Sequence, residues 1–249
     1  MTKLVQLREG YYIKNMETNQ TNPISSSSIM YVLRAFAIIS VMCAHSSFVE
    51  GKTAWITISG RLLLLFGIVG VPFFFLNSGY FAGTRSATTY KDYFKTALLR
   101  MLMPWVVLTT FVWLYIVLRK GDITISSYLN FLFGVGNYTY FLTILILFNL
   151  AFLRATYSNA MIAFSVVLSL VSLMLTSSGN LPSINPYLNP LNWLIYYMLG
   201  VILRKKDWLT PMFEFAQKFK YGIFLLFVLA TVAVVYLNYY PYYWNYFAY

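Results

Sequence analysis

The chain has 249 residues, of which 59% are hydrophobic and only 10% are charged, and its mean hydropathy is +0.65. Soluble domains carry roughly a quarter charged residues, and an ionisable side chain at the centre of a bilayer costs about 3 kcal/mol or more, so the composition predicts an integral membrane protein. A net charge of +11 would indicate nucleic-acid binding in a soluble protein. Because membrane proteins concentrate basic residues in their cytoplasmic loops, we expect membrane lipids, and not nucleic acid, as partners.

The first 28 residues are polar and mixed in charge. They lack the apolar core and the cleavage site of a signal peptide, so residues 1–28 are predicted to form a cytoplasmic N-terminal tail. The first apolar segment then both inserts and stays in the protein, and residues 29–249 form the transmembrane domain. Cys43, the single cysteine, lies inside that segment and cannot form an intrachain disulfide.

Seven apolar segments follow the tail, and a full span needs about 20 mostly apolar residues. They lie at residues 29–48, 62–82, 98–118, 138–152, 160–175, 191–203 and 221–237. The second segment contains Gly67, Gly70 and Pro72, which predict a kink or a close helix contact. The predicted fold is an all-α, polytopic transmembrane helix bundle of about seven spans, with its N-terminus in the cytoplasm.

The basic residues set the orientation. With a cytoplasmic N-terminus and alternating spans, all but four of the 18 lysines and arginines fall on the inner side, as the positive-inside rule requires. The exceptions are Lys52, Arg61, Arg119 and Lys120. The C-terminal run YLNYYPYYWNYFAY then lies outside, where tyrosine and tryptophan suit the headgroup region. The predicted location is the cell membrane.

The first span carries two residues that lipid disfavours, Arg34 and His45, the latter being the one histidine of the chain. Eleven residues at about 100° each make three turns plus about 20°, so both lie on one helix face, about 16 Å apart along the axis. The other faces are rich in alanine and serine, which predicts close packing inside the bundle. A cation that holds an anion and an imidazole that removes a proton would suit a catalytic channel.

Both residues also have plainer interpretations. Arg34 could anchor the helix by extending its head to the lipid phosphates. His45 could form a hydrogen bond with a neighbouring helix. A zinc site and a Cys–His nucleophile pair are not expected, because the chain has one histidine and one cysteine.

Three motifs in order carry a family resemblance. The first is LRAFAIISVMCAHSSF (33–48), with an arginine, ten intervening residues and a histidine. The second is GVPFFFLNSGYFAG (70–83), with its Phe-Phe-x-x-Ser-Gly-Tyr pattern, and the third is the basic segment YFKTALLRMLMP (93–104). The chain from about residue 30 to its end resembles acyltransferase family 3, the bacterial integral-membrane acyltransferases that modify surface polysaccharides and related glycans.

The resemblance implies transfer of an acyl group, most often acetyl from acetyl-CoA, to a sugar hydroxyl, with no bound cofactor. His45 would be the general base. Arg34, Lys95 and Arg100 would lie at the inner face, where they could pair with the donor phosphates.

Three further residues belong to the implied site. Ser78 and Gly79 would contribute to donor binding, since a glycine lets a ligand approach the backbone closely; they could equally form a helix C-terminus with its capping glycine. Glu50, just beyond the first span, would orient the acceptor, or it could be an ordinary loop acid.

The number of spans departs from the family pattern. The family normally has about ten, so a chain with seven is expected to be a short or truncated member. Two other functions fit the same residues: export of a polysaccharide without acyl transfer, and a purely structural membrane subunit. Consumption of a thioester distinguishes the acyltransferase from both.

Overall fold

The computed structural model describes residues 25–46, 54–83, 89, 91–92, 102–120, 124–135, 140–179 and 185–237. All regular structure in these ranges is helical, which confirms the all-α prediction. The ten principal helices are α1 (Ser26–Ser46), α2 (Ala54–Ile68), α3 (Gly70–Ala82), α4 (Met103–Lys120), α5 (Ile125–Leu132), α6 (Tyr140–Ala151), α7 (Asn159–Ser177), α8 (Pro190–Lys205), α9 (Leu209–Lys218) and α10 (Lys220–Leu237).

Each predicted span overlaps a helix in the described ranges, and the second overlaps two, α2 and α3, but the count of seven is not confirmed. Within the described ranges, three helices are long and apolar enough to cross a membrane, namely Ser26–Ser46, Leu62–Ala82 and Asn159–Ser177. A fourth is added if α9 and the first part of α10, which are bent by 85°, count as one span. The apolar helix α6 has 12 residues, or about 18 Å at 1.5 Å per residue, which is shorter than the ~30 Å of hydrocarbon.

The core forms where α3 crosses α8, because two glycines let the backbones touch. A Cβ atom placed on Gly79 would lie 1.9 Å from the carbonyl oxygen of Tyr197, and one placed on Gly200 would lie 2.0 Å from that of Leu76. Small residues at crossings of this kind allow van der Waals contact along the whole interface, which is the main attraction between helices in lipid. Phe75 and Tyr197 are fully buried beside the crossing.

A buried polar network joins α7 to the start of α8. Ser169 Oγ donates to the carbonyl oxygen of Leu191 at 2.6 Å, and Ser172 Oγ donates to Asn192 Oδ1 at 2.7 Å. Asn189 Nδ2 in turn donates to Ser172 Oγ at 2.9 Å. Because the network satisfies polar groups that would be costly to bury alone, it fixes the register of the two helices.

Helix α1 packs against α2 and α3 through small residues. A Cβ on Gly67 would lie 2.4 Å from Ala44 Cβ, and one on Gly70 would lie 2.9 Å from the carbonyl oxygen of Ala37. Ser40, which is fully buried, donates its hydroxyl hydrogen to a backbone carbonyl of α2 at 2.5 Å. The close helix contact predicted from Gly67 and Gly70 is therefore confirmed.

One end of the bundle collects the start of α1, the end of α8 and the loop before α7. The hydroxyls of Ser26 and Thr210 lie 2.9 Å apart. Lys205 Nζ, at the end of α8, donates to the carbonyl oxygen of Tyr157 at 2.9 Å. We call this the basic end, because Arg204 and Lys205 lie there. It agrees with the prediction that these residues share a side with the start of the first span.

Candidate functional site

Arg34 and His45 lie in one unbroken helix, as the sequence predicts. Helix α1 runs from Ser26 to Ser46, so Arg34 lies in its first half and His45 is its penultimate residue. The helical geometry therefore supports their predicted placement on one face, about 16 Å apart along the axis. Both side chains are exposed in the described part of the structure.

The face that carries these two residues borders the packed face and is only partly covered. Of the two residues between them on the shared face, Ile38 is 48% exposed, but Val41 is half-buried and faces Gly70 of α3. Ala37 and Ser40, on the packed side, are fully buried. At about 100° per residue, Arg34 is a third of a turn away from Ser40. The expectation that α1 lies inside the bundle is thus confirmed for its small-residue face only, because the described helices α2 and α3 contact it from that side.

The second motif, in α3, lies where several helices meet. Asn77 Nδ2 donates to the carbonyl oxygen of Met30 at 2.7 Å, one helical turn before Arg34. Ser78 and Asn149 of α6 form a side-chain pair at 3.3–3.4 Å. Gly79 meets the backbone of α8. Three consecutive residues therefore hold α3 against three different helices.

These contacts concern the donor-binding roles predicted for Ser78 and Gly79. The surface of Gly79 is filled by the backbone of Tyr197, so close helix packing accounts for this glycine. Ser78 is half-buried, and its role in donor binding stays a prediction. Glu50, Lys95 and Arg100 lie outside the described residues.

Replacing Asn77 by leucine should lower stability and leave the kinetics of the remaining folded protein unchanged. The variant leaves the carbonyl oxygen of Met30 with one hydrogen bond fewer in a buried position, which costs about 1–3 kcal/mol. The measurement is thermal unfolding in detergent, and Ser126→Ala is the control because Ser126 is exposed in α5, away from this junction. An unchanged unfolding temperature would contradict a structural role for Asn77.

The family follows from a match along almost the whole chain. A family model described as an acyltransferase domain, that of acyltransferase family 3, matches residues 30–249. The chain belongs to acyltransferase family 3. No curated protein matches it, and no solved structure does. The match confirms the resemblance that the three motifs indicated. Together with the apolar helices, it identifies this chain as a membrane acyltransferase.

One basic residue of this family 3 acyltransferase was not singled out in the sequence. Arg204 Nη1 donates to the hydroxyl oxygen of Tyr80 at 3.3 Å, and its guanidinium carbon lies 5.5 Å from the centre of the Tyr80 ring. Tyr80 is 1% exposed and packs beside Met30 of α1. Gly83 leaves room for the stem of Arg204, since a Cβ there would lie 3.3 Å from it. The arginine is therefore held in one orientation at the basic end.

The sequence offered one clue to this pair. Tyr80 belongs to the Ser-Gly-Tyr motif of the second span, whose tyrosine had no assigned role. Its partner lies 124 positions later, and Arg204 is one of several basic residues that the positive-inside rule already explains. Neither periodicity nor spacing could connect the two.

Proposed function

We propose that this membrane acyltransferase moves an acyl group, acetyl in the first instance, from acyl-CoA to a hydroxyl of a cell-surface or lipid-linked glycan. The observation that carries the proposal is the shared face of Arg34 and His45 on one continuous helix, in a chain that belongs to acyltransferase family 3. The proposed location is the cell membrane, as a multi-pass protein with its N-terminus in the cytoplasm.

Arg34 and His45 would bind opposite ends of the donor molecule. Coenzyme A carries its phosphates at one end of a long flexible arm and the thioester at the other. A guanidinium binds phosphate through two parallel charge-assisted hydrogen bonds, so Arg34 would hold the phosphate end. A site about 16 Å further along the same helix face leaves His45 for the thioester end and the acceptor.

His45 acts as the general base in this scheme. Its imidazole nitrogen takes the proton from the acceptor hydroxyl as the oxygen attacks the thioester carbonyl carbon. The C–O bond forms, the C–S bond breaks, and the departing thiolate receives the proton back from the imidazolium. The products are the acylated glycan and free coenzyme A.

Arg204 supplies a second cation at the basic end. A guanidinium has five N–H donors. In the described part of the chain, one of those of Arg204 donates to Tyr80. The others remain for an anion, and the fixed orientation lowers the entropy lost when that anion binds. Arg204 would thus assist Arg34 in holding the donor phosphates, together with the predicted Lys95 and Arg100.

Arg34→Ala should raise the KM for acyl-CoA by about 10- to 100-fold, which is the factor that corresponds to a lost charge-assisted hydrogen bond of about 1.5–3 kcal/mol. The KM for the acceptor should change much less. The measurement is transfer of labelled acetyl from acetyl-CoA to host glycan in isolated membranes. Arg119→Ala is the matched control, since Arg119 is also exposed but contacts Tyr115 of α4. An unchanged donor KM in Arg34→Ala would show that the donor site lies elsewhere.

Polysaccharide export without acyl transfer is the alternative that this assay separates. An exporter would move the glycan and leave acetyl-CoA unconsumed, so the native chain and the Arg34→Ala variant would give the same background of labelled glycan. A structural subunit would give that result too, and glycan transport would then distinguish the two.

A further inference from the structure

Helix α9 is nearly perpendicular to the apolar helix that follows it. It begins at the basic end, directly after α8, and it is bent by 85° from α10. The α10 side chains described, from Lys220 to Ala233, are exposed or half-buried along the helix, as expected for a helix that contacts lipid. If α10 crosses the membrane, α9 therefore lies close to the membrane plane.

The side chains of α9 separate into three faces. Leu209, which is 6% exposed, and Phe213 pack into the cluster formed with Met30 and Tyr80. Met212 lies about 60–100° around the helix from these two residues and Phe215 about 120–160°, and they are 56% and 60% exposed.

Phe219, one residue beyond the helix, continues the exposed apolar face at 47% exposure. The third face is polar, with Glu214, Gln217 and Lys218 exposed. A helix with one protein face, one apolar face and one polar face fits the boundary between acyl chains and water, where amphipathic helices lie in the plane of the membrane.

The charges around α9 indicate which headgroups it contacts. Between positions 204 and 220 the chain has five basic and two acidic residues. Lys218 Nζ lies 5.7 Å from the ring centre of Phe219, and Lys220 Nζ lies 5.0 Å from that of Tyr221. Each lysine thus holds its ammonium group over an exposed aromatic ring, in a cation–π contact, and both lysines are themselves exposed. Basic residues on an amphipathic helix attract anionic lipids.

We propose that α9 is an in-plane interfacial helix that inserts Met212, Phe215 and Phe219 among the acyl chains and binds anionic phospholipid headgroups through Lys218 and Lys220. The Ser26–Thr210 hydrogen bond and the packing of Leu209 beside Met30 then fix the start of α1 at a defined depth. The proposal does not depend on acyl transfer.

The depth of two labels on α9 tests the first half of the proposal. In a Cys43→Ser background, Phe215→Cys and the matched control Gln217→Cys carry a spin label in vesicles of equal parts phosphatidylcholine and phosphatidylglycerol. Both positions are exposed, so neither change removes internal packing. The label at 215 should be reached by oxygen and shielded from a water-soluble nickel chelate, and the label at 217 should show the reverse. Two water-exposed labels, or two labels deep in the membrane, as in the first part of a broken span, would overturn it.

Removal of the lysines tests the second half. The label at 215 should lie deeper in the mixed vesicles than in pure phosphatidylcholine. This difference should vanish in Lys218→Gln/Lys220→Gln, because each lysine near an anionic surface contributes about fivefold to association. Equal depth in both lipids with the lysines present would refute the role of anionic headgroups.

Discussion

His45→Ala is expected to reduce acyl transfer by about 10²–10⁴-fold, the usual contribution of a positioned general base. The loss should appear in kcat, because the variant still offers Arg34 to the donor. Membrane insertion and expression should stay as in the native chain, since His45 is the penultimate residue of α1 and is exposed among the described residues. The measurement is the initial rate of acetyl transfer to glycan in membranes, normalised to the amount of protein.

Met42→Ala is the matched control for this substitution. Met42 lies one turn before His45 on the same exposed face, so it reports any loss that comes from disturbing the face and not from losing the imidazole. It should retain most of the native rate. If His45→Ala were as active as Met42→Ala, His45 would be a structural residue and the proposed mechanism would fail.

Gly79→Ala should cause a large loss of stability. The new methyl group would lie 1.9 Å from the carbonyl oxygen of Tyr197, and since that atom belongs to the backbone, the helices α3 and α8 must move apart. Overpacking of a tight contact costs about 1–3 kcal/mol or more, which lowers the unfolding temperature by about 2–4 °C per kcal/mol in a chain of this size.

Gly222→Ala provides the control, because nothing lies within 4 Å of a Cβ at that position. It should leave the unfolding temperature unchanged or raise it slightly, since alanine favours helix more than glycine does. Gly79 is not a capping glycine, because α3 continues to Ala82. The pair of variants separates its packing role from the predicted donor-binding role. A stable Gly79→Ala protein with a raised KM for acyl-CoA would support donor binding and contradict the packing role.

The positions of the apolar helices could be predicted from the sequence, because hydrophobic length is a local property; α5 and α9 were not predicted. Close packing on the small-residue face of α1, and a close helix contact at Gly67 and Gly70, also followed from small side chains, but the contact between these two sites was not predicted. The exposed face with Arg34 was not predicted: small residues show that a helix packs closely on one side, but they do not show how many sides are covered.

Contacts between residues far apart in the chain could not be predicted from the sequence. The contact of Arg204 with Tyr80, and the crossing of Gly79 with the backbone of Tyr197, depend on which helices become neighbours. The 85° bend before α10 was missed for another reason. The segment before it lies between two predicted spans and is too polar for a span, so no helix was predicted there.

The most direct test of the central claim is the O-acetyl content of host surface glycans, measured by proton NMR. Three hosts are compared at matched protein levels: one with the native gene, one without it, and one with His45→Ala. We predict O-acetyl signals with the native gene and their absence, or near absence, in the other two. Equal O-acetyl content in all three would contradict the assignment of acyl transfer to this chain.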